Sequence, residues 1–168
     1  MLSRIAVALP NSLCLRAAVL DDLEFLYQVY AGTRTEELAV TGWDESQKEQ
    51  FLRMQFDAQH RYYHEVFSTA SYQVILSDGQ RAGRLYVDRR ADVIAIIDIA
   101  LLPEWRGRGI GGILLREITD EATRVGKPVR IHVEHFNRAL TLYQRFGFRK
   151  IGDTGIYYHM EWSPPETA

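Results

Sequence analysis

The sequence has little of what marks secreted, membrane-spanning or nucleic-acid-binding proteins. Its 168 residues include one cysteine, Cys14, so no intramolecular disulfide can form and a reducing compartment is expected. No apolar run reaches the roughly 20 residues that a helix needs to cross a bilayer. The formal net charge is −2, which gives no general attraction to nucleic acid or to an anionic membrane. The expectation is a cytoplasmic globular protein with neither nucleic-acid nor membrane partners.

What the chain does contain is an ordinary globular composition, with 46% hydrophobic and 25% charged residues. A chain of this length suffices for one domain with its own core. There is no internal repeat and no low-complexity tract. The periodic patterns occupy residues 13–163, which are expected to form the domain. Residues 1–12 are expected to be an N-terminal extension and residues 164–168 a frayed tail.

The apolar periodicity predicts elements in the order β α α β β β α β α β β. After a short apolar stretch come two helical patterns, the second starting near Asp44, which has Gln47 three residues later. Two β-rich runs then flank Asp78-Gly79, a pair typical of a hairpin turn. The Ile-rich run ADVIAIIDIALLPE suits a strand buried on both faces. The order indicates an α/β fold (α+β, with a mixed sheet), antiparallel at its start and with a central β-loop-α-β unit.

The loop of that central unit has the sequence WRGRGIGGILLR, residues 105–116. Its glycines allow a backbone to approach a ligand closely, and its arginines suggest an anion such as phosphate. The apolar run predicts that a helix begins inside the motif, so that free N–H groups point at the ligand. A phosphate-bearing ligand is therefore expected at residues 107–112.

Several interpretations of this loop compete. Gly107, Gly109 and Gly112 match the G-x-G-x-x-G string of dinucleotide-binding folds, and Glu134 ends the next strand. That fold places the string in its first βα turn and needs several further βα units, which this chain lacks. A nucleotide-binding P-loop is excluded because no Gly-Lys-Ser/Thr ends the loop. A purely structural turn would not need so many glycines.

Two segments resemble the signatures of the GNAT superfamily of acetyl-CoA-dependent N-acetyltransferases. The stretch from Arg106 to Gly111 matches the family's Arg/Gln-x-x-Gly-x-Gly/Ala motif between its fourth strand and third helix. Downstream, NRALTLYQRFGF resembles the second signature, which is carried here by Asn137, Ala139, Leu140, Tyr143, Gly147 and Phe148. The resemblance covers residues 13–163 and implies a GNAT-like fold.

The resemblance implies acetyl-CoA as cosubstrate, and the residues themselves indicate no metal site. Backbone N–H groups at 107–112 would receive the pyrophosphate, and the pantetheine arm would pair with the exposed backbone of the fourth strand. Asn137 would hydrogen-bond the pantetheine or cap its helix. His60 and His64 have the i, i+4 spacing of metal ligands, but no third ligand is evident, which indicates a surface pair. The implied cofactor-binding residues are Ile99, Ala100, Leu101, Arg106, Gly107, Arg108, Gly109, Ile110, Gly111, Gly112, Asn137 and Tyr143.

Acetyl transfer requires a base for the amine, a donor to the oxyanion and an acid for the leaving thiolate. In the family a tyrosine of the fourth helix often supplies the acid, and Tyr143 occupies that position. The family can also carry its base five residues before the motif asparagine, where this chain has His132. An imidazole titrates near neutrality, and Glu134 lies on the same strand face. Asp98 and a water chain without a single base are the alternatives.

The acceptor is expected to be a small, cationic primary amine that attacks the thioester directly in a ternary complex. The resemblance places its site on the first two helices and the loop between them, in GTRTEELAVTGWDESQ and the helix that follows. Glu36 and Glu37 make this segment acidic, and Trp43 and Tyr62 are nearby aromatic residues. Helix capping and core packing are the structural alternative for the acidic and aromatic residues of this segment. The alternatives are a protein N-terminus or lysine as acceptor, and a non-catalytic acetyl-CoA sensor or scaffold. A homodimer is compatible with the sequence.

Overall fold

The computed structural model describes the backbone of Val7–Ala8 and residues 12–166. Two short 3-10 turns, Leu20–Asp22 and Pro103–Trp105, accompany the helices and strands. In the described part of the chain the helices and strands are β1 (Val7–Ala8), β2 (Leu13–Ala17), α1 (Leu23–Ala39), α2 (Glu45–Val66), β3 (Ser71–Ser77), β4 (Gln80–Arg89), β5 (Ile94–Leu101), α3 (Ile110–Val125), β6 (Val129–Glu134), α4 (Leu140–Arg145), β7 (Arg149–Asp153) and β8 (Tyr157–Trp162).

From β2 onward the element order is the predicted one, and the mixed α/β fold is confirmed. The additional strand β1 lies inside the expected N-terminal extension and pairs with β2. Residues 1–6 and 9–11 of that extension, and 167–168 of the expected tail, lie outside the described residues. Among the helices of the described residues, each is too short or too polar to cross a membrane.

The start of α2 and the β3–β4 turn follow the local sequence signals. Asp44 Oδ1 accepts a hydrogen bond from the Gln47 N–H at 2.8 Å, and Gln47 Oε1 accepts one from the Asp44 N–H at 3.0 Å. This reciprocal pair is a complete capping box. At the hairpin, Asp78 and Gly79 have φ of 49° and 79°, the left-handed values that a tight two-residue turn requires.

The first of two compact units comprises Met1–Leu85 and Ile99–Arg106. Its strand order is β1-β2-β3-β4-β5, with β1–β2 and β2–β3 antiparallel. Gly83 allows β5 to approach β4, because a Cβ there would overlap the carbonyl oxygen of Ala100. Residues of α1, α2 and β3 form the core, namely Phe25, Leu26, Tyr27, Val29, Tyr30, Leu38, Leu52, Phe56 and Val74.

The second unit comprises Tyr86–Asp98 and Gly107–Ala168, with strand order β4-β5-β6-β8-β7. The β5–β6 pair is parallel and connected through α3, whereas β6–β8 and β8–β7 are antiparallel. One stripe of α3 is buried and consists of Ile110, Leu114, Leu115, Ile118, Thr119 and Ala122. The apolar periodicity of the helix extends this stripe to Val125, but that residue is exposed at the end of the helix. The β6 strand alternates as expected, with Val129, Ile131 and Val133 buried.

Candidate active site

The glycine-rich loop leads into a helix N-terminus that has no side-chain cap. Gly109 is the N-cap residue of α3 with φ 82°, and Gly107 has φ 71°, values that favour glycine. The first turn of α3 contains no acidic residue. The N–H groups of Ile110, Gly111 and Gly112 have no acceptor within the helix, as in the first turn of any helix. This turn is therefore suited to an anion from outside the helix.

The two glycines inside the first turn of α3 have different neighbours. A Cβ on Gly111 would lie 3.3 Å from Leu142 Cδ2, so this glycine also lets α4 approach α3. A Cβ on Gly112 would lie 3.9 Å from Phe146 Cε2, which is ordinary van der Waals contact. Gly112 can consequently accept a small side chain in place, whereas a side chain at Gly111 would push against Leu142.

The guanidinium of Arg106 binds backbone carbonyls in the first unit. Its Nε donates to the Leu101 carbonyl at 3.2 Å, and Nη2 donates to the Gly32 carbonyl at 3.2 Å. Gly32 leaves room for this arrangement, since a Cβ there would lie 3.2 Å from Pro103 Cδ. Arg106 thus connects the end of β5 to α1, which the motif did not indicate, and its contribution to pyrophosphate binding stays a prediction. Arg108 is exposed.

Strands β5 and β6 stop pairing before either strand ends. Their ladder ends at Ile96 and Ile131, although β6 continues to Glu134 and β5 to Leu101. Within the second unit, the β6 segment 132–134 therefore has no backbone partner on β5. Ile99, Ala100 and Leu101, the expected pantetheine-binding segment, form the continuation of β5 beyond its ladder with β6.

Tyr143 is buried in α4, with 3% of its surface exposed. Its ring packs edge-to-face on Phe148, with centroids 5.8 Å apart. Burial, and after it the negative charge of Asp98, raises the pKa of the Tyr143 phenol well above its ordinary value. The phenol therefore keeps its proton throughout the neutral range, so it can donate a hydrogen bond but does not titrate there. Its role as acid for the thiolate stays a prediction.

Asn137 forms a local turn before α4. Its Oδ1 accepts a hydrogen bond from the Ala139 N–H at 2.8 Å, and its own backbone N–H donates to the Glu134 carbonyl at 3.0 Å. The capping alternative for Asn137 is thus present in the structure. Because this bond uses only the side-chain oxygen, the amide nitrogen of Asn137 is left for the predicted contact with pantetheine.

His132 and Glu134 lie on the less buried face of β6, as the alternation predicts. Directly opposite His132 in the β6–β8 register is His159, and the two imidazoles stack with centroids 4.3 Å apart and planes 10° apart. Sequence reasoning missed His159, because its pairing depends on a register between strands separated by α4 and β7. On the same face, Arg130 Nε donates to Glu161 Oε2 at 2.7 Å.

The expected acceptor-site residues do not converge on one pocket. Glu36 and Glu37 lie on the last turns of α1 and not in a loop, because α1 continues to Ala39. Trp43 lies in the short α1–α2 connection, with its ring 5.3 Å from that of Phe51. Tyr62 lies far along α2, roughly 27 Å from its N-cap at a helical rise of about 1.5 Å per residue. A single small molecule cannot contact both aromatic residues.

His60 and His64 form a ring pair, with centroids 4.4 Å apart, and His64 stacks on Tyr72 at 4.0 Å. Nowhere in the described residues do three or more His, Cys, Asp or Glu side chains come together as metal ligands would.

Comparison with known proteins agrees with the fold. A family model for the Acetyltransferase (GNAT) domain matches residues 67–150, half of the chain. The chain belongs to the GNAT acetyltransferases. The expected fold family and the acyltransferase activity are thereby confirmed. A putative [ribosomal protein bS18]-alanine N-acetyltransferase of Bacillus subtilis (strain 168) is 33% identical over 104 residues, covering 58% of this chain and 67% of the relative.

Solved structures show the same fold at lower sequence identity. The PaiA N-acetyltransferase of Thermoplasma acidophilum, crystallised in complex with coenzyme A, has a TM-score of 0.69 and 19% identity, covering 90% of this chain and 99% of its own. The ribosomal-protein-S18-alanine N-acetyltransferase of Escherichia coli has a TM-score of 0.58 and 17% identity, covering 93% of this chain and 96% of its own. This chain therefore shares the architecture of both acetyltransferases.

Proposed function

We propose that this GNAT enzyme transfers the acetyl group of acetyl-CoA to the α-amino group of a protein N-terminus in the cytoplasm. The observation that carries the proposal is the similarity to the Bacillus subtilis relative, whose name gives a protein alanine as acceptor. The small cationic amine expected from the sequence becomes the second candidate. The acceptor attacks the thioester directly, with both substrates bound.

The first turn of α3 supports acetyl-CoA as the donor. The glycine cap at Gly109 and the absence of an acidic residue in that turn suit a pyrophosphate, which backbone N–H groups and the positive end of the helix would stabilise. Arg108, exposed beside this turn, adds positive charge. The segment Ile99–Leu101 would pair its backbone with the pantetheine amides, since β5 continues there beyond its ladder with β6.

The chemistry of the base favours an α-amino group over a lysine or a polyamine. A terminal α-amine has an ordinary pKa of about 7.7–8.0, against about 10.4 for a lysine ammonium. Transfer of a proton to the same base therefore costs roughly 3.5 kcal/mol less from the α-ammonium than from the lysine ammonium, at about 1.4 kcal/mol per pKa unit. With His132 as base, directly or through a water, an N-terminus is the better acceptor, and Glu134 assists by attracting the cationic amine.

The remaining step concerns the leaving thiolate. The neutral amine nitrogen forms the C–N bond. The tetrahedral intermediate then gives up the second N–H proton to solvent, and the C–S bond breaks to give the amide and the thiolate of coenzyme A. Tyr143 holds its proton firmly because it is buried. It stabilises the thiolate chiefly as a hydrogen-bond donor, and solvent supplies the proton that finally binds to the sulfur.

The exposed positions of the expected acceptor residues agree with a chain-like substrate. Glu36 and Glu37 on α1 and Tyr62 on α2 are exposed and well separated, so they suit successive contacts along a peptide better than enclosure of one small molecule. Glu37 already accepts a hydrogen bond from Arg34 at 2.8 Å.

The test compares acceptors in one thiol-release assay with the full chain and acetyl-CoA. The acceptors are an alanine-initiated peptide, the same peptide with a blocked N-terminus and one internal lysine, and a polyamine. We expect release with the free N-terminus alone, and mass spectrometry should place the acetyl group there. Turnover of the polyamine alone would establish the small-amine alternative. Binding of acetyl-CoA without turnover of any acceptor would indicate the sensor alternative.

A further inference from the structure

A pair of flat-stacked imidazoles lies at the place where β6 leaves β5. His132 is the first β6 residue beyond the β5–β6 ladder, and His159 stands opposite it on β8. The ring centroids are 4.3 Å apart and the planes differ by 10°. Residues opposed in an antiparallel pair project to the same face, so the contact follows from the register.

The contact between the two rings is a stack and not a hydrogen bond. The ring nitrogens of an imidazole bond within the ring plane, so a parallel neighbour leaves both nitrogens of His132 accessible at the edge of the stack. Within residues 12–166, no hydrogen bond connects either ring to another group. A histidine base is commonly oriented by a hydrogen bond on its second nitrogen. Here the stacked partner is the group available to orient the ring.

We propose that His159 is a positioning residue, which holds the plane of the His132 ring so that a ring nitrogen of His132 faces the acceptor amine. The inference rests on the proposed function, in which His132 takes the amine proton. That proton passes from the ammonium nitrogen to the His132 ring and from there to solvent, while the C–N bond forms and the C–S bond breaks. His159 neither gains nor loses a proton in this sequence.

The surroundings of His159 agree with a neutral partner ring. The titratable and charged groups that share its sheet face are His132, Arg130 and Glu134 on β6, Tyr157 and Glu161 on β8, and Arg149 on β7, opposite Glu161. Partial burial lowers the pKa of His159, and the nearby His132 and Arg130 lower it further, against the opposing charge of Glu161. His159 therefore stays neutral in the neutral range and does not compete for the proton that His132 accepts.

The kinetic test uses two replacements that differ in whether a flat ring remains. His159→Ala removes the stack and should lower kcat for the peptide acceptor on the order of 10- to 100-fold, the effect of a misplaced catalytic group, with the KM for acetyl-CoA unchanged. His159→Phe keeps a flat ring without a titratable group and should restore most of kcat. The control is His135→Ala, which removes another stacked histidine, paired with Tyr158 at 4.0 Å. It should leave kcat unchanged.

A nuclear magnetic resonance titration of the histidine rings supplies a measurement that does not need activity. His159→Ala should move the His132 ring-proton resonances by removing the ring-current contribution of the stack, and His132→Gln should raise the pKa of His159. Equal activity of His159→Ala and wild type, or an equally large loss in His159→Phe, would overturn the positioning role. Failure of the proposed function is distinguishable, because wild type itself would then acetylate no N-terminus. If His159→Ala fails to fold, His159→Phe and the titration of His132→Gln still decide the question.

Discussion

Replacement of Asp22 by asparagine should destabilise the first unit in a pH-dependent way. The Asp22 side chain is 2% exposed and holds two guanidinium groups. Arg16 donates to its two oxygens at 2.7 and 2.9 Å, Arg81 donates at 3.3 Å, and the Val19 N–H donates at 2.9 Å. The asparagine side chain would keep the size of the aspartate but present an NH₂ group where these donors need an acceptor.

The magnitude follows from the pKa of Asp22, which the hydrogen bonds from Arg16 and Val19 and the charge of Arg16 lower from 3.8 to about 2. This lowering of the pKa corresponds to roughly 2.5 kcal/mol in the free energy of unfolding, at about 1.4 kcal/mol per pKa unit. Because the folded-state pKa is lowered, this stabilisation is complete above the unfolded-state value and is lost as pH falls toward 2. By the same linkage between pKa and stability, Asp22 still contributes about 1.3 kcal/mol to the free energy of unfolding at pH ~3.

The assay is urea unfolding of wild type and Asp22→Asn, followed by circular dichroism at several pH values from neutral down to about 3. We expect a difference in the free energy of unfolding of about 2–3 kcal/mol at neutral pH, which narrows by about half at the acidic end. Glu24→Gln is the matched control, since Glu24 pairs with Arg53 at 2.7 Å but is 62% exposed, and it should cost under about 1 kcal/mol. A difference below about 0.5 kcal/mol for Asp22→Asn, or one independent of pH, would refute the reasoning.

Two further predictions concern the candidate active site. Gly112→Asp places a carboxylate in the first turn of α3, where it suits the helix dipole but repels a pyrophosphate. By calorimetry it should weaken acetyl-CoA binding far more than Gly112→Asn, which adds a side chain of the same size without the charge, and Tm should be unchanged. Equal acetyl-CoA affinity of the two variants would show that the pyrophosphate does not bind at this turn. Tyr143→Phe should lower kcat about 10²-fold and leave acetyl-CoA affinity nearly unchanged. Wild-type kcat would limit Tyr143 to packing against Phe148.

Local chemistry made much of the fold predictable. The Asp44–Gln47 capping box, the Asp78-Gly79 turn and the alternation of β6 are each decided by residues a few positions apart, and the structure has all three. The glycine-rich motif likewise predicted the start of α3, because the helix begins at Ile110, inside the motif.

Contacts between distant segments were not predictable in the same way. His159 meets His132 because β8 pairs with β6 in one register, and a shift by one residue would place His159 on the other face. The two guanidinium groups at Asp22 come from β2 and β4, so only the assembled sheet brings them together. The loop expected between the first two helices is shorter than predicted. The α1 helix continues through Glu36 and Glu37 to Ala39, and no strong helix-stop signal occurs before Gly42.

The glycines of the motif show why a signature match alone cannot assign a ligand contact to each residue. Gly107 and Gly109 meet a backbone requirement, since both have positive φ. Gly111 meets a packing requirement, because a side chain there would press on Leu142. Substituting any of these three would disturb the loop or the α3–α4 contact even if no pyrophosphate ever bound. Gly112 has neither constraint, so its charge-specific variants separate binding of the anion from the integrity of the loop.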